Sequence, residues 1–335
     1  MSLRRSVAAL AVAFLALAAP ARAEPQKVRL AKQVGLASLT LLVMEHEKLL
    51  EKHLAASGLA GVEVNWSVFG SGAVMNDGLL SGNLDFAAGG SIPLAVLWSK
   101  TVGTPNEVRA ACGLNAIPMY LDTRNPDVKS IRDFTEKDKI AVPAIKVSIQ
   151  AVTLQMAAAK EWGEANYAKL DPLTVSMNST DSFVALTSGA GELTARFGGA
   201  PYAQIEQKKP GIRTVLNSYD VLGGPHDTNL IYTTKKFRDE NPKTYAAFLA
   251  AFREATDLVN ADKRKAAEIY LKLAPEKVSV DELTDILKDP QVISSLTPLG
   301  VMKFVDFAFK TGTIKKKPDS WKDLFFPEVH DLPGN

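Results

Sequence analysis

Cysteine and histidine are scarce: 335 residues hold one cysteine, Cys112, and four histidines. A single thiol excludes an intramolecular disulfide, so stability has to come from a hydrophobic core. His46 and His53 stand seven apart, about 10 Å along a helix, with Glu45, Glu47 and Glu51 around them. That distance is too long for one shared ion, and the pattern is not His-Glu-x-x-His, so it predicts a solvated helix face and no metal site. Charge of one sign is missing as well, with 39 Lys and Arg against 37 Asp and Glu. Lys315-Lys316-Lys317 is one short basic run and reads as a surface turn; nucleic acid is not an expected partner. There is no Gly-x-x-x-x-Gly-Lys loop to cradle a nucleotide phosphate, and no cofactor is expected.

Long apolar runs are absent beyond Val7–Ala19, which follows Arg4 and Arg5 and precedes Pro20-Ala21-Arg22-Ala23. A basic head, a short apolar core and a small-x-small exit form a secretory signal peptide, with cleavage expected after Ala23. The core is too short to span a bilayer, which takes about 20 residues in a helix. The context of Arg4-Arg5 fits the twin-arginine route poorly, and Cys112 is too far from the cleavage site for a lipid anchor. Cleavage removes Arg4, Arg5 and Arg22 and takes the formal charge from +2 to −1. The remaining chain, about 310 residues, is long enough to bury a large core, most simply in two lobes.

What is present is alternation. Lys27–Lys32, Val62–Val68, Leu84–Ala88 and Val108–Leu114 read as strands. Helical spacings over 38–57, 73–80 and 92–100 separate them. A second set follows, with strands at 139–142, 173–176, 193–197 and 212–216 and helices at 148–162, 180–188 and 201–207. After a strand at 228–233 the chain is mostly helical. Asn241-Pro242 starts one helix, Ser279-Val280-Asp281-Glu282 has capping-box spacing, and Thr297-Pro298 opens the last. The pattern predicts an α/β fold with largely parallel sheets. The Pro- and Gly-bearing stretches 115–125 and 217–225 are the expected crossovers. This divides the chain into 24–117 with 223–335 as lobe 1 and 118–222 as lobe 2, after the 1–23 signal peptide.

Four local patterns in this order resemble the nitrate/sulfonate/taurine group of ABC-transporter substrate-binding proteins, over Lys27–Trp321. They are Gly70-Ser71-Gly72 followed by Gly82-Asn83-Leu84-Asp85; Ser130-Ile131-Arg132-Asp133-Phe134; Ile140-Ala141-Val142-Pro143; and Gly191-Glu192-Leu193-Thr194-Ala195. Two depart from the group's pattern: Ala144-Ile145-Lys146 replaces a Gly-Ser helix start, and Thr194 stands where an aspartate is usual. The resemblance implies the type II periplasmic-binding-protein fold, two α/β lobes joined by two crossovers with a helical C-terminal region. It also implies a solute carrier, expected to be monomeric and periplasmic, that delivers a small molecule to an ABC permease and ATPase complex in the inner membrane.

In open α/β sheets a ligand sits beyond the carboxyl ends of strands, where helix N-termini present free N–H groups and partial positive charge. The turns that would reach such a cleft name the candidates. They are Gln33, Gly35 and Leu36 after the first strand; Phe69, Gly70 and Ser71 after the second; and Gly90 and Ser91 after the third. The other lobe would contribute Ala144, Ile145 and Lys146, then Phe197 and Gly198, with Asn217 and His226 near the second crossover. Helix N-termini and the resemblance favour a small organic or inorganic anion such as a sulfonate, nitrate or carboxylate. Phe69, Ile145 and Phe197 would suit a neutral heterocycle equally well. An enzyme is not expected, although some proteins of this fold are enzymes. The resemblance implies a cysteine cluster in pyrimidine synthases and a nucleophilic cysteine in the first strand-to-helix turn of desulfinases, and Gln33–Ser38 has no cysteine. A sensory ligand-binding protein is the other alternative.

Overall fold

The structure is a computed structural model that describes residues 24–189, 191–274 and 276–335; the signal peptide expected over 1–23 lies outside them. No helix among the described residues is long and apolar enough to cross a membrane.

The first half alternates strand and helix: β1 (Lys27–Gln33), α1 (Leu39–His46), α2 (Leu49–Ala56), β2 (Glu63–Phe69), α3 (Gly72–Leu80), β3 (Phe86–Gly89), α4 (Ser91–Thr101) and β4 (Val108–Ala116). The second set is β5 (Met119–Thr123), β6 (Ile140–Val142), α5 (Ile149–Trp162), β7 (Thr174–Ser176), α6 (Ser179–Ser188), β8 (Ala195–Gly199), α7 (Tyr202–Gln207), β9 (Arg213–Asn217) and α8 (Ser218–Leu222). The chain then returns through β10 (Asn229–Thr234), α9 (Lys235–Glu240), α10 (Pro242–Ala261), α11 (Lys263–Leu273), α12 (Val280–Lys288), β11 (Ile293–Ser294), α13 (Val301–Lys310) and α14 (Trp321–Leu324). Two sheets result. The six-stranded one runs β11-β4-β10-β3-β1-β2 and the five-stranded one β7-β6-β8-β5-β9. The expected two-lobed α/β architecture is what the chain adopts. Its sheets are mixed where the sequence pattern predicts largely parallel ones, since β5 pairs antiparallel with β8 and β9, and β11 with β4. β1 pairs parallel with β2 and β3, while β10 enters antiparallel between β3 and β4.

Burial explains the order. β3 and β10 are central, and their residues are buried along nearly their whole length, as strands covered on both faces must be. β2 is an edge, alternates poorly and stays half exposed. Over this sheet lies α10, whose Tyr245, Phe248, Phe252, Ala255 and Val259 fall on one buried face. Phe248 stacks on Phe86 of β3 with centroids 4.0 Å apart, which fixes the helix over the sheet centre.

The motif residues are structural. Asp85 Oδ2 accepts from the Arg29 backbone N–H at 2.8 Å, and its carboxylate takes the Arg29 guanidinium through Nε and NH2 at 3.0 and 2.7 Å. This locks β3 beside β1. At the second such position Thr194 does the corresponding job, its Oγ1 accepting from Lys139 N at 3.1 Å at the entry to β6. Ser130 and Asp133 form a capping box around a single 3-10 turn.

Two readings of local structure change. The helix expected over 38–57 is split, because Lys48 takes a left-handed conformation between α1 and α2. His46 and His53 therefore sit on different helices, and His53 Nε2 meets Glu254 of α10 at 2.7 Å. The stretch 217–225 is not only a connection: Asn217 accepts from Tyr219 N and starts α8.

Candidate functional site

Strand ends of the two sheets face each other across a cleft of about 730 Å3, its open mouth included. From the six-stranded half come the turn Gln33 to Ala37 after β1, Ser71 to Ala73 at the start of α3, and Gly90 with Pro93 at the start of α4. The five-stranded half supplies Pro143-Ala144 after β6, Ser148 to Gln150 opening α5, Ser179 opening α6, and Gly199, Ala200 and Tyr202 between β8 and α7. Ile117, Met119, Thr228 and Asn229 from the two crossovers form the back wall. The crossovers are tied side by side: Thr228 Oγ1 accepts from Ile117 N and donates to Ile117 O, both at 2.9 Å.

The halves touch. A Cβ at Gly90 would stand 3.2 Å from Ile149 Cβ across the cleft, and one at Gly70 would stand 3.7 Å from Asn178 Cβ. The Tyr202 hydroxyl donates to Glu276 in the turn between α11 and α12 and shares a 2.9 Å hydrogen bond with Thr180. Lys208 and Glu282 pair at 2.7 Å along the same flank. Burial holds the Glu276 carboxyl above the usual range against the opposing pull of the hydrogen bond from Tyr202.

The electrostatics of the cleft come from the backbone. None of its described lining residues is Asp, Glu, Lys, Arg, His or Cys. The helix starts around the cleft are capped unevenly, and α7 of the five-stranded half has no side-chain cap. Ser148 caps α5 by accepting from Ala151 N at 3.2 Å, and Asn178 caps α6 by accepting from Asp181 N at 2.9 Å. On the other side α3, α4 and the short turn Leu36–Ser38 have no side-chain cap. Ser71, at the cap position of α3, is 5 % exposed, and its hydroxyl makes no cap bond and has no hydrogen-bond partner among the described residues. Gly35 holds φ near +100°, where a side chain is strained, and this turns the chain over the cleft. The uncapped side thus offers N–H groups and one hydroxyl to an electron-rich guest.

Of the residues expected from sequence, Gln33, Gly35, Leu36, Ser71, Gly90 and Ala144 line the cleft. The others stand elsewhere. Gly70 is exposed at the rim and Phe69 packs against the core. Ser91 is fully buried in the first turn of α4, with Oγ unpartnered. Ile145 and Lys146 point to solvent, because Lys146 adopts φ near +65° and turns the loop outward before α5. Phe197 is core, and Gly198 lies against the Arg196 guanidinium. Asn217 caps α8. His226 is buried edge-on between Tyr219 and Phe304 at 5.3 and 5.2 Å. Burial pushes its pKa down to about 4, so it is neutral at ordinary pH. Cys112 is buried in β4, and burial raises its thiol far from the reactive range.

Sequence reasoning missed the back wall, Ser179, Tyr202 and Asn229. Ser148 and Asn178-Ser179 carried a usable signal, since each precedes an apolar helical run as a cap does. Thr228 and Asn229 carried none beyond their place after the crossover.

The sequence model of the NMT1-like family matches residues 21–273. No curated protein sequence matches the chain. Among solved structures the chain is similar to the alkanesulfonate-binding protein SsuA from Xanthomonas axonopodis pv. citri bound to MOPS. That likeness has 15 % identity and a TM-score of 0.67, over 88 % of this chain and 96 % of that one. The periplasmic aliphatic sulphonate binding protein SsuA from Escherichia coli is similar at 17 % identity and TM-score 0.64, over 90 % and 92 %. The periplasmic nitrate-binding protein NrtA from Synechocystis PCC 6803 is similar at 15 % and 0.67, over 89 % and 84 %. At these identities the likeness is one of fold, and it agrees with the two sheets and the cleft between them. With a sequence match over most of its length, the chain belongs to the NMT1-like family.

Proposed function

We propose that this protein is the exported, periplasmic solute-binding component of an ABC importer, and that it holds a small molecule in the cleft as the lobes close. Lobe 1 is 24–117 with 223–335 and lobe 2 is 118–222. One observation carries the reading. Three helix starts without a side-chain cap and the Ser71 hydroxyl of one lobe converge on a space covered by the other lobe, where Ser148 and Asn178 cap their own helices. Such a half-site suits an oxyanion, a sulfonate, nitrate or carboxylate, whose charge is met by backbone dipoles. The second lobe contributes contact area, and closure over the guest selects the form that docks on the permease. A cleft whose described lining holds hydroxyls but no Cys, His, Lys, Asp or Glu to activate them favours capture over catalysis.

A thermal-shift screen of sulfonates, nitrate, carboxylates and neutral amides tests this. A guest at a hundred times its Kd adds about 2.7 kcal/mol, and at least one compound should raise Tm by several degrees. The Ser71→Ala variant should bind that compound roughly tenfold more weakly, the effect of one hydrogen bond to a charged group. Lys146→Ala, on the outward loop, should bind it as the parent does. Equal affinity in Ser71→Ala and the parent would remove the oxyanion site from α3.

A further inference from the structure

We propose that Gln33 and Asn229 form a donor–acceptor reader on the cleft floor, and that the solute carries a carboxamide-type edge, a C=O beside an N–H, as well as its oxyanion. The inference rests on the solute-binding reading above and adds a constraint that reading does not contain. Gln33 ends β1, Asn229 begins β10, and β3 lies between them with Ala88 on it. Gln33 Nε2 donates to Ala88 O and to Asn229 Oδ1, both at 3.0 Å.

Those two contacts fix both side-chain amides. A backbone carbonyl only accepts, so the Gln33 atom facing Ala88 must be its NH2. The Asn229 atom receiving the other hydrogen must then be its oxygen. What remains is a Gln33 Oε1 and an Asn229 NH2 without a hydrogen-bond partner among the described residues, on two residues that line the cleft. Asn229 is only 4 % exposed. A guest that displaces water from this amide must satisfy it or lose free energy.

The chemistry of the guest follows from the pair. Asn229 NH2 asks for an acceptor and Gln33 Oε1 asks for a donor. An alkanesulfonate, nitrate or simple carboxylate supplies the acceptor alone and leaves Oε1 dry and unmatched. A secondary amide, ureide or lactam matches both atoms at once. An ammonium group would also donate to Oε1, but it would leave Asn229 unmatched, and no carboxylate among the described lining residues would balance its charge.

Matched compounds that differ by one –CO–NH– unit test the proposal by calorimetry on the mature chain. They are 2-acetamidoethanesulfonate against pentane-1-sulfonate, and N-acetyl-β-alanine against hexanoate. The amide member of a pair should bind at least about tenfold tighter, the effect of two neutral hydrogen bonds gained. Asn229→Asp keeps the oxygen that accepts from Gln33 and replaces only the free NH2. In that variant the preference within each pair should fall below about threefold. The added charge weakens both members alike and so cancels in the ratio. If the pair only tied β1 to β10, the substitution would move both compounds equally and leave the ratio unchanged. Equal affinities within pairs in the parent overturn the amide edge and leave the solute-binding reading standing. Binding of none of these compounds, with none found in the wider screen, overturns both.

Discussion

Gly90→Val should lose at least about a hundredfold in affinity for any guest of the cleft while keeping the parent's fold and nearly its Tm. Gly90 has φ near −72° and ψ near 172°, extended values that any residue adopts, so valine brings no backbone strain. One obstacle lies across the cleft and the other, the Thr228 carbonyl, on the back wall. A Cβ there would be 3.2 Å from Ile149 Cβ and 3.3 Å from Thr228 O. Two further methyl groups have no room, and Ile149 is fixed at the start of α5. The substitution acts as a wedge between lobes and not as a hole in either core. A hundredfold is about 2.7 kcal/mol, of the order of what the second lobe adds to binding when it closes over a guest. Calorimetric affinity and the radius of gyration with saturating guest check it. The parent should contract on binding and the variant should not. A Gly90→Val chain that binds and contracts like the parent would mean that closure does not bring these turns together.

Much of this was legible in the sequence because periodicity and turn chemistry are local. The strand–helix alternation, the caps at Ser148 and Ser279, and the glycines after each strand read directly as elements and turns. Gln33, Ser71 and Gly90 follow from one rule, that α/β strands end at the ligand side. The failures share a cause: they depend on which way a loop turns. Lys146 looked like a charge partner beside a helix start, but its left-handed conformation sends it to solvent. His226 looked available near a crossover, and packing against Tyr219 and Phe304 encloses it. Thr228 and Asn229 gave no local signal, since their place depends on β10 inserting antiparallel between β3 and β4. Arg196 illustrates the same limit. In sequence it stands beside a cleft turn, but in the fold it points away from any guest, into a buried ion cluster.

That cluster sets the second large effect. Arg196 NH1 meets Glu206 at 3.0 Å, and its Nε donates to Ser182 Oγ at 2.9 Å. Asp122, also fully buried, accepts from Thr214. Glu206 Oε2 and Asp122 Oδ2 have no donor in the protein. Two carboxyls against one guanidinium leave a charge that burial does not tolerate, so the two acids share a proton. Burial above all, with Asp122 adding to it against the pull of Arg196, pushes Glu206 up to about 8. Asp122 is raised in the same direction by burial. The unfolded chain releases this proton near the ordinary glutamate value, while the folded chain keeps it. Stability from the protonated pair is therefore complete below about pH 4.5 and lost as pH rises through about 8. Tm should fall between pH 5 and pH 9, and Glu206→Gln should flatten the fall and exceed the parent at pH 9. Arg196→Leu removes the cation and leaves both acids enclosed, at a cost of about 3–5 kcal/mol. For a chain of this size that is a drop of roughly 6–15 °C, largest at pH 9 and smaller at pH 5, where both acids can be neutral. Thermal unfolding of the three proteins at pH 5, 7 and 9 measures each expectation. Parallel pH curves for the parent and Glu206→Gln would show that no proton is held between these carboxyls.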